Sequence, residues 1–495
     1  MFRVRHRQDI EALSAILLEP MLRRTVLLAL GLFACGTDVA SSTTESASQS
    51  ATLGDLVVVD QVAVYQSVKV TLVDAEAILG RPNAPVIPLR PAYVRVHVRT
   101  GPPLTKVPAL TAVLRVTAPG RPDVVLEDGP KNIVALDDAN VGSTFNFELS
   151  ATQVQPGAAF SVELVDGSGG TPGVYLFPQT GTVPMNVGTL APTLKVRFVP
   201  VRYQADGSSR ISPLDASTLA AYRDALYKVY PAANVEVTVN PELAWPTVVS
   251  ADGDGWDSLL GAIIETRQDD GAADDVYYVG IFNPAATERE YCRNGCVLGV
   301  APAAYRGEVD LRVAMVVGYP GERAHGTLAQ EIAHAMGRYH APCGRPSALD
   351  PKYPYPGGAI GTWGYDVVER RLVDPQQEVF DFMSYCSPVW VSDYTFSALY
   401  ENMLDVERTK RPITLAQKKI KSYRVDADGT MRPGPSMRID LDAAAPEETI
   451  AVENLARRPL RAVHGRFRPT SGIGGGYLLA DEEIPVGTRV LLPGK

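Results

Sequence analysis

From Leu56 to about Val187 the chain alternates apolar and polar positions in short runs: "LVVVDQVAVYQSVKVTLV", "AYVRVHVRT", "TAVLRVTA", "TFNFELSA" and "AFSVELVDG". Gly, Pro and Asp turns separate the runs at the spacing of a two-sheet protein, which predicts a β-sandwich-type domain over 54–190. The texture changes near Thr193. "LKVRFVPVRY" reads as a strand, and "DASTLAAYRDALYKVYP" as a helix with Leu219, Tyr222, Leu226 and Val229 near one face. Strand-like "VEVTV", helix-like "GWDSLLGAIIETRQ" and strand-like "DVYYVGIF" and "LRVAMVVG" follow. Alternation of this kind predicts a mixed sheet with helices over 191–412. A helix is expected to begin near Thr327, and "SDYTFSALYENMLDVERTKR" closes the region as another. Beyond it the text is β-type again. "VDADGTMRPG" carries a hairpin signal and "YLLADEEIPVGTRVLLPG" is strand-like, so 413–495 is expected to be a small β-rich domain. The fold class is therefore multidomain α+β.

Composition agrees with a folded, turn-rich chain: 45% of its 495 residues are hydrophobic and 21% charged, with 42 glycines and 39 prolines. A net charge of −9 and no clustered basic face argue against nucleic acid as a partner. The N-terminus adds more. "MLRRTVLLALGLFACG" begins at Met21 with two arginines, and its apolar run Thr25–Ala34 is too short to span a bilayer but suits a signal-peptide core. "LFAC" resembles the lipobox of bacterial lipoproteins. The resemblance implies a lipoprotein-type signal peptide over 21–34, a start at Met21 with 1–20 upstream of it, and acylation of Cys35. Residues 35–53, with "SSTTESASQSAT", offer no apolar face and read as a tether. Ordinary cleavage and release is the alternative. Export is expected on either route.

Of five cysteines, Cys292, Cys296, Cys343 and Cys386 lie in the central region. In an exported protein they suggest two disulfides with three possible connectivities. The favoured pairing is Cys292–Cys296, a short staple, with Cys343–Cys386. A four-cysteine zinc site is the rival reading, although no paired CxxC pattern supports it.

The chemistry concentrates in "GTLAQEIAHAMGRYHAPCG", Gly326–Gly344. On a helix, Gln330 and His334 are one turn apart and share a face. Glu331 lies beside that face, where a carboxylate can take a proton from water. Gly337 permits the left-handed turn that ends a helix, after which His340 can return to the same point. Three of the six histidines fall between His325 and His340. His97, in the first β region, has no ligand cluster around it.

"QEIAHAMGRYH" resembles the HExxHxxGxxH motif of metzincin zinc proteases with its first residue altered. Met383 in "DFMSYC" is similar to the methionine turn of that clan, and the Met-x-Tyr spacing of Met383 and Tyr385 to its astacin and serralysin branches. The surroundings "APCGRPSALDPKYPYPGGAIGTWGYD" and "MSYCSPVWVSDYTF" resemble a group of exported bacterial metalloproteases, and the likeness covers about residues 193–410. It implies one zinc ion held by His334 and His340, with Gln330 where a third imidazole is usual. It also implies Glu331 as general base, Tyr385 as zinc ligand or oxyanion stabiliser, Met383 beneath the metal, and a protein or peptide substrate. The departure at Gln330 bears on activity, because a neutral amide oxygen is a poor zinc donor. His325 could replace it only if the preceding loop folded over the site.

Two rival readings stand beside this one. The first is a pseudoprotease whose fold serves as a surface binding or structural module. The second is a purely structural β-rich lipoprotein. Two further stretches stay open: "DGDGWD" is either the start of a calcium loop, with Ile263 where its last ligand belongs, or a polar turn and helix start. The aromatics of "YPYPGGAIGTWGY" either line a cleft or pack a loop.

Overall fold

Residues 52–101, 108–170, 173–409, 417–441, 445–485 and 487–491 are described by the computed structural model, and they form a mixed α+β arrangement in which sheet predominates. The upstream stretch, the leader, Cys35 and most of the tether lie outside the described residues.

The first strand, Val57–Asp74 (β1), pairs antiparallel with Ala92–Thr100 (β2) from Val57↔Thr100 to Tyr65↔Tyr93. Leu110–Thr117 (β3) lies between Val124–Lys131 (β4) and a later strand, while β2 pairs on its other side with Phe145–Leu149 (β5). Ala159–Asp166 (β6), the other partner of β3, continues that second sheet to Tyr175–Phe177 (β7). Period-two alternation, reset by a bulge between Val59 and Gln61, puts Val57, Val59, Val62 and Val64 on one side of β1, and alternation puts Leu110, Ala112, Leu114 and Val116 on one side of β3. All are buried in a shared core. That core does not stop at the expected boundary near 190, for Leu194, Tyr222, Leu328 and Phe396 belong to it as well.

Thr193–Tyr203 (β8) opens the central sheet, followed by helix Ala216–Val229 (α1), Asn234–Val239 (β9), helix Trp256–Asp269 (α2) and Val276–Phe282 (β10). Gly299–Val300 (β11), Val313–Val317 (β12) and helix Glu322–Ala335 (α3) complete the layer. The strand order is β9-β8-β10-β12-β11, parallel throughout except for β11, the short antiparallel edge. The inner strands β8, β10 and β12 are apolar on both faces, as a covered parallel sheet requires, whereas the edge strand β9 is largely exposed. Val196, Phe198, Val279, Ile281, Ala314 and Val316 face the core shared with α1 and α3. Val199, Val201, Tyr278, Phe282, Met315 and Val317 face a second core under α2.

Three further links cross between regions. Gly364–Asp366 (β13) pairs with the middle of β1 through Ser67↔Tyr365 and with Arg371–Val373 (β14). Helix Asp393–Thr409 (α4) packs Phe396, Leu399, Tyr400 and Met403 into the first core. Gln417–Val425 (β15) turns back onto Met431–Pro433, the hairpin expected from "VDADGT", and also pairs with Met437–Asp440 (β16). Val463–Pro469 (β17) and Gly476–Ala480 (β18) extend that sheet. Ile420, Met437, Ile439, Tyr477 and Leu479 join Leu259 and Ile263 of α2 in the second core. Among the described residues no helix is long and apolar enough to cross a membrane.

Candidate metal centre and its carboxylate

Helix α3 begins at Glu322, about a turn before the start read near Thr327. Ala324 and Leu328 are both buried, so the apolar stripe that binds the helix to the sheet extends upstream of the motif. His325 is carried on this extra turn rather than on a loop. Its ring stands edge-on to Tyr222 of α1, with centroids 5.1 Å apart, so packing against α1 accounts for it.

The helix stops where Gly337 takes φ +81°; a Cβ there would stand 2.8 Å from the Ala304 carbonyl oxygen. The chain then reverses. His340 N–H donates to Ala348 O and Asp350 N–H donates to His340 O, which holds the returning segment in place. His334 and His340 are 3% and 1% exposed, and their Nε2 atoms lie 3.1 Å apart. Each Nδ1 is already engaged by a backbone carbonyl, that of Arg338 for His334 (2.7 Å) and that of Ser347 for His340. A carbonyl only accepts, so each Nδ1 carries the ring's proton and each Nε2 of the neutral ring presents a lone pair. Burial holds both imidazoles neutral; His334 is driven down to about 3 by desolvation first and by His340 second. Two lone pairs thus face one another at hydrogen-bond distance with no proton between them, an arrangement that a cation would satisfy.

A second segment is bonded to the stretch that follows His340. Met383 is 1% exposed, and Ala341 N–H donates to its carbonyl at 3.0 Å. The buried Asp381 carboxylate accepts from Met383 N–H (2.8 Å), Ser392 N–H (3.0 Å) and the Ser392 hydroxyl. The Cys343–Cys386 disulfide and the bond from Tyr385 N–H to Cys343 O (3.0 Å) tie this turn to the segment after His340. Cys292–Cys296 is also bonded, so both favoured pairings are present. Tyr385 is half exposed, its ring edge-on to His340 with centroids 4.9 Å apart. Its phenol is pushed up to about 12 by partial desolvation and then by the charge of Glu331.

Gln330 is half buried, and its amide nitrogen donates to Ser384 O at 3.4 Å. It thus lies beside the turn that carries Met383 and Tyr385. Among the described residues no three His, Cys, Asp or Glu side chains converge as a metal set. The donors brought together here are the two imidazoles.

Glu331 is 4% exposed, and its Oε2 accepts from the Ser471 hydroxyl at 2.6 Å. Desolvation pushes its carboxyl up to about 8, with the Ser471 bond opposing. The carboxylate lies flush against β11: a Cβ on Gly299 would stand 2.6 Å from Glu331 Cγ and 2.8 Å from Oε1. Neither Gly299 nor Ser471 figures in the sequence reading. Ser471 comes from the C-terminal sheet and no motif joins it to α3. The one available signal was the glycine-rich "TSGIGGG" beginning at Thr470, the composition of a backbone that approaches another closely.

The two open stretches resolve as local structure. Gly255 takes φ +82° at the start of α2, with Asp257 in its first turn, so "DGDGWD" is a turn leading into a helix. The loop borders a cavity of about 770 Å³ that Arg424, Asp426 and Tyr477 also line and that no residue of α3 reaches. Tyr353 and Tyr355 stand edge to face and bond to Ala359 O and Asp393, as a packed loop does. The chain matches no protein-family model and no curated protein sequence.

Proposed function

We propose that the protein is an exported, zinc-dependent endopeptidase of metzincin type, held at the bacterial cell envelope by a lipid on Cys35. The observation that carries this reading is the pair of buried Nε2 lone pairs on His334 and His340, 3.1 Å apart, with both Nδ1 protons committed elsewhere. On this reading 191–412 is a metzincin-like domain within a mixed α+β chain, 54–190 a β-sandwich-type region that shares its core, and 413–495 a small β-rich region. His334 and His340 would hold the ion, with the Gln330 amide oxygen as third donor. Zinc bound there would supply Lewis-acid polarisation of a peptide carbonyl and would acidify an attacking water. Glu331 takes the proton of that water. The Tyr385 hydroxyl, exposed beside His340, donates to the carbonyl oxygen as negative charge grows on it. Met383 is the methionine of the turn on this reading, buried and bonded through its carbonyl to Ala341, the residue after His340.

A second reading, a pseudoprotease acting as a surface binding or structural module, is favoured by Gln330 itself and by the capping of Glu331 by Ser471. Zinc per chain, measured on Gly36–Lys495 and on its Gln330→His variant after dialysis, separates the two. If both hold about one zinc, the peptidase reading stands and a peptide-substrate screen follows. Zinc in the variant alone selects the pseudoprotease. Zinc in neither shows that the metal does not sit between His334 and His340.

A further inference from the structure

Strand β11 is the edge of the central sheet. One side pairs with β12 through Gly299↔Val316 and Val300↔Met315. An open edge beside the candidate base is where an extended peptide could add by main-chain hydrogen bonds. In this chain another segment already lies against the residues that continue that edge. Ala303 N–H donates to Pro469 O (2.8 Å), Ser471 N–H donates to Ala301 O (2.9 Å), and Pro302 and Thr470 form an antiparallel bridge. Ala301 N–H donates to the Ser471 hydroxyl oxygen at 2.8 Å, and that hydroxyl donates in turn to Glu331 Oε2. Gly472 then passes so close to the strand that a Cβ on it would stand 2.8 Å from Gly299 O.

Covering an edge requires backbone pairing only. Here the cover also delivers a hydroxyl to the carboxylate proposed as general base, and it is anchored from behind. Arg468, the residue before the segment, forms a buried ion pair with Glu308. Arg438 on β16 grips the fully buried Asp310 with two nitrogens, at 3.0 and 2.8 Å. Both acidic partners lie in the loop between β11 and β12, so the anchors and the covered edge belong to one stretch of chain.

We infer that Pro469–Gly472 is an autoinhibitory strap: it occupies, within the same chain, the edge at which an extended peptide would bind, and it caps Glu331 until it is displaced. The inference rests on the peptidase reading for the meaning of the edge, and it deepens that reading by naming how the site is regulated. While the strap is seated, the Ser471 hydroxyl holds the acceptor oxygen that a water would need, and the amides of Ala301 and Ala303 have no capacity left for a substrate. Its removal exposes all three at once.

The test uses the full mature chain, Gly36–Lys495, as wild type, Gly472→Val and Ser471→Ala. A side chain at 472 meets Gly299 O and must also adopt a left-handed backbone (φ +75°), so Gly472→Val lifts the strap. Two readouts are free of zinc and of hydrolysis. Hydrogen exchange of peptides spanning 299–304 should rise at least about 10-fold in Gly472→Val while those spanning β12 stay protected. A fluorescent peptide of sequence RFRPTSGIGG, residues 466–475, should bind Gly472→Val by anisotropy at least about 10-fold more tightly than wild type. Unchanged exchange over 299–304, or equal binding of the peptide by wild type, overturns the inference. Should Gly472→Val lose protection in β12 as well, it has unfolded and Ser471→Ala decides. That variant keeps the backbone pairing, and carbodiimide-driven labelling of Glu331 by an amine should exceed wild type; equal labelling overturns the cap. A strap that lifts in a chain that binds no zinc refutes the peptidase reading and leaves the covered edge intact, so the two failures are distinguishable.

Discussion

Two β regions flank the central sheet, and they treat it differently. The N-terminal one braces it from behind. Arg90, fully buried, donates to Ser67, Tyr230 O, Ala232 O and Tyr227 O; Trp390 donates to Ser67 O; Asn83 donates to Asp393. Apart from the Arg90–Ser67 bond within the region, these contacts reach α1, the segment after it, or the stretch Trp390–Asp393 that leads into α4. None reaches His334, His340 or Glu331. The C-terminal region instead touches the loop between β11 and β12 and places Ser471 on Glu331. Similar β-rich text yields a scaffold on one side and an occupant of the site on the other. What separates them is which part of the central layer each meets: α1 and the segment after it, or the loop between β11 and β12.

The largest expected effect is on the brace. Arg90→Met leaves three buried carbonyls without their cationic donor and should cost about 3–5 kcal/mol in urea-induced unfolding, the range for breaking a buried charged network. A loss below about 1 kcal/mol would place Arg90 outside the energetics of the fold. Next comes the opposite flank. Arg468→Met strands Glu308 and should cost about 3 kcal/mol, but the loss should be local, with exchange rising over 299–304 before it rises over β1. Simultaneous loss of protection in both places would erase the distinction between brace and occupant.

At the centre between them, Gln330→His should raise zinc affinity about 100-fold or more, measured by competition with a chelator. The gain should survive in the Ser471→Ala background, because Ser471 touches Glu331 and not the imidazoles. Ser471→Ala itself removes two hydrogen bonds on partly compensated groups and should lower stability by about 1–2 kcal/mol. The smallest effect is expected at Tyr385→Phe. Its ring is half exposed and no hydrogen bond to its hydroxyl is present among the described contacts, so thermal unfolding should shift by less than about 0.5 kcal/mol. A larger shift would make Tyr385 a structural residue rather than one poised toward a ligand.

Much of this was legible along the chain, for local reasons. The helix carrying Tyr222, Leu226 and Val229 follows from their common face, and the turn at Gly337 from its freedom at positive φ. The closeness of His334 and His340 follows from helix geometry plus one reversal. Parity narrows four cysteines to two disulfides with three possible pairings, and proximity decides among them. Helix α3 starts a turn earlier than Thr327 because Ala324 continues the buried stripe of Leu328 upstream, past the polar residues that read as a boundary. His325 illustrates the consequence: on a loop it would be free to approach the site, and on the helix it is committed to Tyr222.

By itself the sequence determined the periodicities, the breaks at glycine and the spacing that brings Gln330, Glu331 and His334 onto neighbouring faces of one helix turn. These depend on interactions within a few residues, which a linear pattern records. Only the tertiary structure decided that the core runs through the boundary near 190, that β13 completes the sheet of β1, and that Ser471 reaches Glu331 across 140 residues of chain. Such contacts are set by which apolar faces and which sheet edge remain to be covered once the local elements exist. No short stretch of sequence contains that information.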